Sequence, residues 1–392
     1  MRIPSLKVIL FLILIFFGQL LMNPLLASEK QEISNQIYDS TLQSSEVEKF
    51  WEKINQQYET MLPDLRNKNF SEIVKGNNSW SIEEFFFSIV KYFFYELINN
   101  SKILGILILL TLFSQLLQIV QGAFEQQTVS KVAYFIIYIF LFGFALNSFQ
   151  LTANYVDDTM QLIQNFMIAL LPLLLGMLAS LGNVVSQSFF HPLVIFLINM
   201  SIFLVSKVVI PLFFLSAILN LVSTLHPQYN ASKLADLLKN ISFTLIGIFF
   251  SVFIGIMSVQ GTASAIQDGV AMKTAKFVTG NFVPVIGKMF TEATETVISA
   301  SILIKNGLGI AGLVMLLIIV LFPALKILAI GLIYKLAAVL LQPIGDGPVI
   351  ASLDIIGKHI LYLFVALLLI SFMFFITITI IVLTSNITLM IR

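Results

Sequence analysis

Hydrophobic and polar positions follow two regimes along this chain. Up to about residue 100, apolar residues recur at three- and four-residue spacing among charges. Beyond it, apolar runs of 15 to 25 residues follow one another almost to Arg392. A run of about 20 apolar residues is what a helix needs to cross a hydrocarbon core of roughly 30 Å. The runs fall at about 103–121, 131–150, 162–181, 191–206, 208–225, 241–258, 303–322, 324–341 and 360–384. Lys207 and Pro211 interrupt 191–225, which reads as two short spans or one long kinked helix. The 324–341 run carries Lys326 and Lys335 and reads as a crossing or an interfacial helix. The pattern predicts an all-α, polytopic transmembrane helical bundle of about seven to nine spans, with a small helical N-terminal extracytoplasmic segment. With the first crossing entered from outside, Asp157 and Asp158 fall in an outer loop. Lys131, Lys233, Lys239, Lys326 and Arg392 then fall inside or near inner ends, a slight positive-inside bias.

Ahead of the spans, Arg2 and Lys7 precede an apolar stretch from Val8 to Leu21, and Leu25-Leu26-Ala27 precede a polar run. This is the pattern of a secretory signal cleaved near Ala27, or of an uncleaved anchor. Val47, Phe50, Trp51, Ile54, Tyr58, Met61 and Leu65 form one stripe of an amphipathic helix. Such a stripe packs on the bundle, lies on the membrane, or docks a partner. From Glu83 to Asn99 a second amphipathic stretch is rich in Phe and Tyr, as expected of a helix at the membrane–water interface.

The polar residues within the spans have ordinary explanations and sharper ones. Lys305 and Lys335 lie near helix ends, where their stems can snorkel to the headgroups. Gln115, Gln118 and Gln121 share a face of the first span, and Asn147, Asn199 and Asn220 are single amides in others. They serve interhelical hydrogen bonds or a polar lining. No carboxylate falls within a strongly apolar span, which disfavours a proton-driven carrier.

Between Val259 and Ala300 the pattern breaks. Nearly half of this segment is Gly, Ala, Ser or Thr, with charges throughout and Pro284 near its middle. Small residues allow close backbone approach, and irregular backbone at membrane depth needs protein or a water-filled cavity around it. The segment reads as two small-residue helices with a turn near Gly280–Pro284, re-entrant or on the outer face. A second Gly/Pro-rich connection runs from Gln342 to Asp354. One reading makes both structural turns and caps. The other makes them a gate, pore lip or docking surface built from Gln260, Asp268, Lys273, Lys276, Gly280, Asn281, Pro284, Gly287, Lys288, Glu292 and Glu295, with Gly345, Asp346 and Gly347. The chain thus divides into a signal peptide (1–27), an extracytoplasmic amphipathic segment (28–100), a first transmembrane region (101–258), the small-residue segment (259–300) and a C-terminal transmembrane region (301–392).

Composition narrows the chemistry. Hydrophobic residues are 58% and charged residues 11% of the chain, and mean hydropathy is +0.95. A soluble domain carries about 25% charged residues. The net charge of +1 gives no electrostatic case for nucleic acid. With no cysteine there is no disulfide or thiolate site. His191, His226 and His359 are scattered at the borders of apolar runs, as interfacial or capping histidines would be. Phosphate-binding, HExxH and GxSxG motifs are absent, so neither an enzyme nor a cofactor is expected.

Several strings carry a family resemblance: FWEKINQQYETMLP, LGILILLTLFSQLLQIVQGAFEQQTVSKVAY, ALLPLLLGMLASLG, FFHPLVIFLINMS, IPLFFLSAILNLVSTL and the tail NITLMIR. The most specific are VQGTASAIQDGVAMKTAKFVTGNFVPVIGKMFTEATETVISAS and LQPIGDGPVIASLDIIGKHI, long and polar-interrupted. In these the chain resembles the stage III sporulation protein AE family of endospore-forming bacteria. The resemblance implies a multi-pass protein of the mother-cell membrane around the forespore, in a channel linking the two cells. The implied partners are the other stage III sporulation A proteins, including a secretion-type ATPase and ring-forming proteins, the forespore-side stage II Q protein, and the lipid bilayer. Self-association into a homo-oligomer is a further option. It implies no catalytic residues. The residues alone leave two rivals open: an autonomous permease or secondary carrier, and a membrane scaffold that localises partners.

Overall fold

The computed structural model describes residues 46–58, 82–123, 127–225, 231–282, 286–345 and 347–391. The stretch read as a signal, 1–27, lies outside them, as do Pro284 and Asp346. Every described element is helical: α1 (Glu46–Tyr58), α2 (Ile82–Asn99), α3 (Ser101–Ala123), α4 (Gln127–Ser180), α5 (Val184–Leu204), α6 (Ile210–Leu225), α7 (Ser232–Phe282), α8 (Ile286–Leu341) and α9 (Pro348–Ile391). A π turn, Val205–Val209, joins α5 to α6, and a 3-10 turn, Gln342–Ile344, follows α8. Five helical stretches are long and apolar enough to cross a membrane, or six when the bent pair α2–α3 counts as one more.

The difference from nine sequence runs is one of joining. Runs 131–150 and 162–181 are one 54-residue helix, α4. Its polar middle, Thr152 to Asp158, does not form the expected outer loop. No Gly or Pro interrupts it. Thr152 and Thr159 donate back to the carbonyls of Ser148 and Tyr155, at 2.7 and 2.6 Å, so their hydroxyls are satisfied within the helix. Runs 303–322 and 324–341 join in α8 through Pro323. Neighbouring helices make such prolines tolerable in membrane bundles. Over 191–225 the chain is one helical stretch, and the π turn lies just ahead of Pro211, whose ring would collide with the carbonyl four residues back in a regular helix.

The long helices run antiparallel in sequence, and α9 packs against α8, α7, α4, α6 and α5. Its buried Ile356, Ile360, Leu363, Leu367, Ile370, Phe374 and Ile378 keep helical spacing and form the centre of the core. Small residues set the closest approaches. A Cβ on Gly309 would lie 2.4 Å from Val382, and one on Gly312 2.8 Å from Leu170. The α4–α5 turn needs Gly182, the one described glycine at positive φ, +85°.

The two amphipathic N-terminal helices also dock on the bundle. In α1, Val47, Trp51 and Ile54 are buried, and Phe50 meets Phe166 of α4 edge-on at 6.4 Å. In α2, Tyr92 packs against Phe322 of α8, ring centroids 4.7 Å apart.

Candidate functional site

The small-residue segment is divided between two long helices. α7 runs to Phe282 and α8 starts at Ile286. The backbone of Lys276, Gly280 and Asn281 is in α7 and that of Gly287, Lys288, Glu292 and Glu295 in α8; their side chains lie outside the described residues. Gln260 donates to Ser264 at 2.8 Å within α7, and Lys273 is exposed.

Asp268 is the best-defined of the sequence candidates. It is 1% exposed and accepts from the backbone N–H of Val185 (2.9 Å) and Ser186 (3.0 Å) and from the Ser186 hydroxyl. The start of a helix presents unpaired N–H groups and the positive end of its dipole, so a carboxylate there is well matched. Asn183, the residue in the capping position, makes no such bond with its side chain. An aspartate from α7 therefore caps α5 from outside and ties the small-residue segment to the α4–α5 turn.

One step along the bundle, Lys305 of α8 is 1% exposed. Its Nζ donates to the carbonyl of Val382 (2.8 Å) and to Asn386 Oδ1 (2.9 Å) of α9. It does not snorkel: the chain turns the amine inward to oxygen acceptors. At mid-height, Asp157 accepts from Ser206 of the π turn, Gln164 donates to Asn199 at 2.7 Å, and the Lys326 Nζ lies 4.2 Å from the centroid of the Tyr155 ring. Near the α2–α3 bend of 42°, Glu96 is buried and accepts from Tyr92 (2.8 Å) and Asn100 (2.9 Å).

Toward the other end, the Tyr138 hydroxyl donates to the Leu221 carbonyl at 2.8 Å and lies 2.8 and 3.0 Å from the hydroxyls of Thr224 and Ser352. His359, read from sequence as interfacial, is buried, with ring nitrogens 3.0 Å from the Ser216 hydroxyl and 2.8 Å from the Ile355 carbonyl. Lys335 and Lys358 both pair with Asp354. Thr224, Gln342, Gly347, Pro348 and Asp354 help line an open groove of about 470 Å³ beside the Gly/Pro-rich connection. Gly345 faces α3, where a Cβ would lie 2.8 Å from Gln115 Oε1. On that face the Thr111 and Ser114 hydroxyls and the Gln115 amide nitrogen are buried with no hydrogen-bond partner among the described residues.

The structure thus separates the two sequence-predicted surfaces: Asp268 lies at one end of the bundle and Gly345 and Gly347 at the other. Among the described residues no group of three or more His, Asp or Glu is placed to hold a metal. The arrangement offers polar fasteners between helices. Sequence reasoning missed the buried Glu96, although Tyr92, Glu96 and Asn100 at four-residue spacing put all three on one helix face.

The family model for Stage III sporulation protein AE matches residues 66–385. The chain belongs to the stage III sporulation protein AE family. A relative in Bacillus subtilis (strain 168), itself called Stage III sporulation protein AE, is 47% identical over 364 residues, covering 92% of this chain and 91% of the relative. The match takes in every described helix from α2 to α8 and most of α9, so family membership covers both Asp268 and the α8–α9 connection. No solved structure matches.

Proposed function

We propose that this protein is an integral membrane subunit of the channel, or secretion-like complex, that links mother cell and forespore and supports sporulation after engulfment. The observation that carries the reading is the near full-length likeness to a sporulation protein. The physical picture is compatible with a conduit or platform subunit. The bundle is long, its buried polar groups fasten helices to one another, and no described carboxylate array resembles a proton relay along one path. In this reading the protein sits in the mother-cell membrane around the forespore. It meets the secretion-type ATPase, the ring-forming proteins of the same set and, through them, the stage II Q protein.

The test is affinity purification of tagged protein from sporulating cells after mild crosslinking, with blotting for those partners. Co-recovery of the ATPase and ring proteins is the expected result. Recovery of the chain alone, with a known complex recovered from the same extract, overturns the reading and favours an autonomous carrier. Recovery of the partners, with transport unaffected when the 259–300 segment is widened or charged, favours a scaffold.

A further inference from the structure

Buried hydroxyls in this bundle share a habit. Thr152, Ser201, Ser242 and Thr377 are fully buried, and each donates to the carbonyl four residues back, at 2.7, 2.6, 2.9 and 3.0 Å. That bond is open to a Ser or Thr within a helix. Thr111 and Ser114 of α3 are as deeply buried, at 0% exposure, and do not make it. Gln115, the next residue, is 6% exposed, and its amide nitrogen is also without a partner among the described residues. Residues three and four apart share a helix face, so three uncompensated polar groups stand together. A buried polar atom with no hydrogen bond is unfavourable wherever water cannot reach it.

The face they occupy closes α3 onto the molecule. Gly345 of the α8–α9 connection comes so near that a Cβ there would lie 2.8 Å from Gln115 Oε1. Elsewhere α3 packs chiefly on α4 and α8. Its opposite face, Ile106, Leu109, Phe113 and Leu116, is exposed and apolar. At its start α3 meets a joint, Asn100, where the axis turns by 42° from α2. A Cβ on Gly105 would meet nothing within 4 Å, so the first turns of α3 have room to shift. Water is close to the other side of the contact. Gln342 is exposed, and with Gly347 it lines the open groove beside the connection.

We propose that α3 is a moving element of this subunit: its contact with the α8–α9 connection opens, and Thr111, Ser114 and Gln115 then line a hydrated cleft. Hydration of the three groups favours the open arrangement, and burial of Leu107 favours the closed one. The cleft takes water, and with it any small polar solute that hydroxyl and amide groups can solvate. Its use in sporulation rests on the channel reading above. The motion itself belongs to the chain and is measured on the chain alone.

The chain has no cysteine, so a single introduced one is a unique probe. The full-length protein would carry Ser114→Cys or, as a matched control, Ser201→Cys, equally buried but at a hydroxyl that has its partner. In lipid nanodiscs both membrane faces are open to reagent. A charged methanethiosulfonate is expected to modify Ser114→Cys at least tenfold faster than Ser201→Cys. Adding Thr111→Val and Gln115→Met removes groups that water would hydrate, and is expected to slow the reaction at position 114 at least fivefold. In the otherwise unaltered protein the same two substitutions are expected to raise the thermal midpoint, because they remove orphaned groups at nearly constant shape. Gln115→Met alone is expected to shift it in the same direction, and serves if the double variant fails to fold. Equal, slow reaction at positions 114 and 201 overturns the proposal, because the contact then stays shut. A midpoint lowered by Gln115→Met also overturns it, because the amide is then satisfied where it stands. Failure of the channel reading is a separate result, loss of partner recovery with the labelling rates unchanged.

Discussion

Asp268 accepts hydrogen bonds from three donors on two consecutive residues at the start of α5, and it does so from a different helix. Removing that acceptor leaves buried donors without a partner, and such orphaned groups cost about 1–3 kcal/mol. Asp268→Ala is therefore expected to lower the stability of the purified protein by about that amount, read as a lower thermal midpoint in detergent. Asp268→Asn keeps one acceptor oxygen and is expected to lose less. Equal midpoints for wild type and Asp268→Ala would refute the cap. Lys305 illustrates the same logic with opposite charge. Its amine is held by a backbone carbonyl and an amide oxygen rather than by a carboxylate, so no partner was evident from the sequence around it. The residues that could be read in advance were those whose partners are local, such as the amphipathic stripe of α1. Those that could not, Asp268, Lys305 and His359, depend on partners 77 to 143 residues away.

At the level of elements, helix type was legible almost throughout, because apolar runs and three- to four-residue stripes leave little choice. Helix ends were not. A polar stretch such as Thr152 to Asp158 usually signals a loop in a membrane protein. Here Ser206 on a neighbouring helix and intrahelical carbonyls take up its polar groups, and the helix continues. The π turn has a local cause in Pro211, but its role in placing Ser206 against Asp157 is visible only in three dimensions. α1 was legible as a stripe and ambiguous as to what it covers; burial of Trp51 at 2% exposure on α4 resolves this. Truncating a buried Trp costs about 3–5 kcal/mol, and α1 has few other anchors. Trp51→Ala is accordingly expected to undock α1 while the long helices stay assembled. Hydrogen exchange would then show loss of protection over 46–58 alone. Unchanged protection there would mean that other contacts hold the helix.

For the molecule as a whole, the notable dimension is height. Candidate crossings of 41 to 46 residues are about 60–70 Å long at 1.5 Å per residue, twice a bilayer core of roughly 30 Å. One bilayer cannot clothe the entire bundle, so part of its surface meets water or protein. Read in 20-residue units, the sequence counts the two halves of α4, of α5–α6 and of α8 as separate crossings, while α7 and α9 carry one run each. α9 is what these tall helices share, and a chain ended at residue 347 is expected to leave them without a common core. The full-length protein should accumulate in the membrane fraction, whereas the shortened one should be degraded; comparable amounts of both would show that the first eight helices fold without it. The position of α9 also bears on synthesis. It is translated after every helix that it holds together, so the earlier helices enter the membrane with their inward faces uncovered. For that interval Tyr138 is without Ser352, Ser216 without His359, and the Lys305 amine without the Val382 carbonyl and Asn386. Assembly is thus timed by the synthesis of α9, and a ribosome stalled before it would present the cell with helices that are inserted and still unpacked.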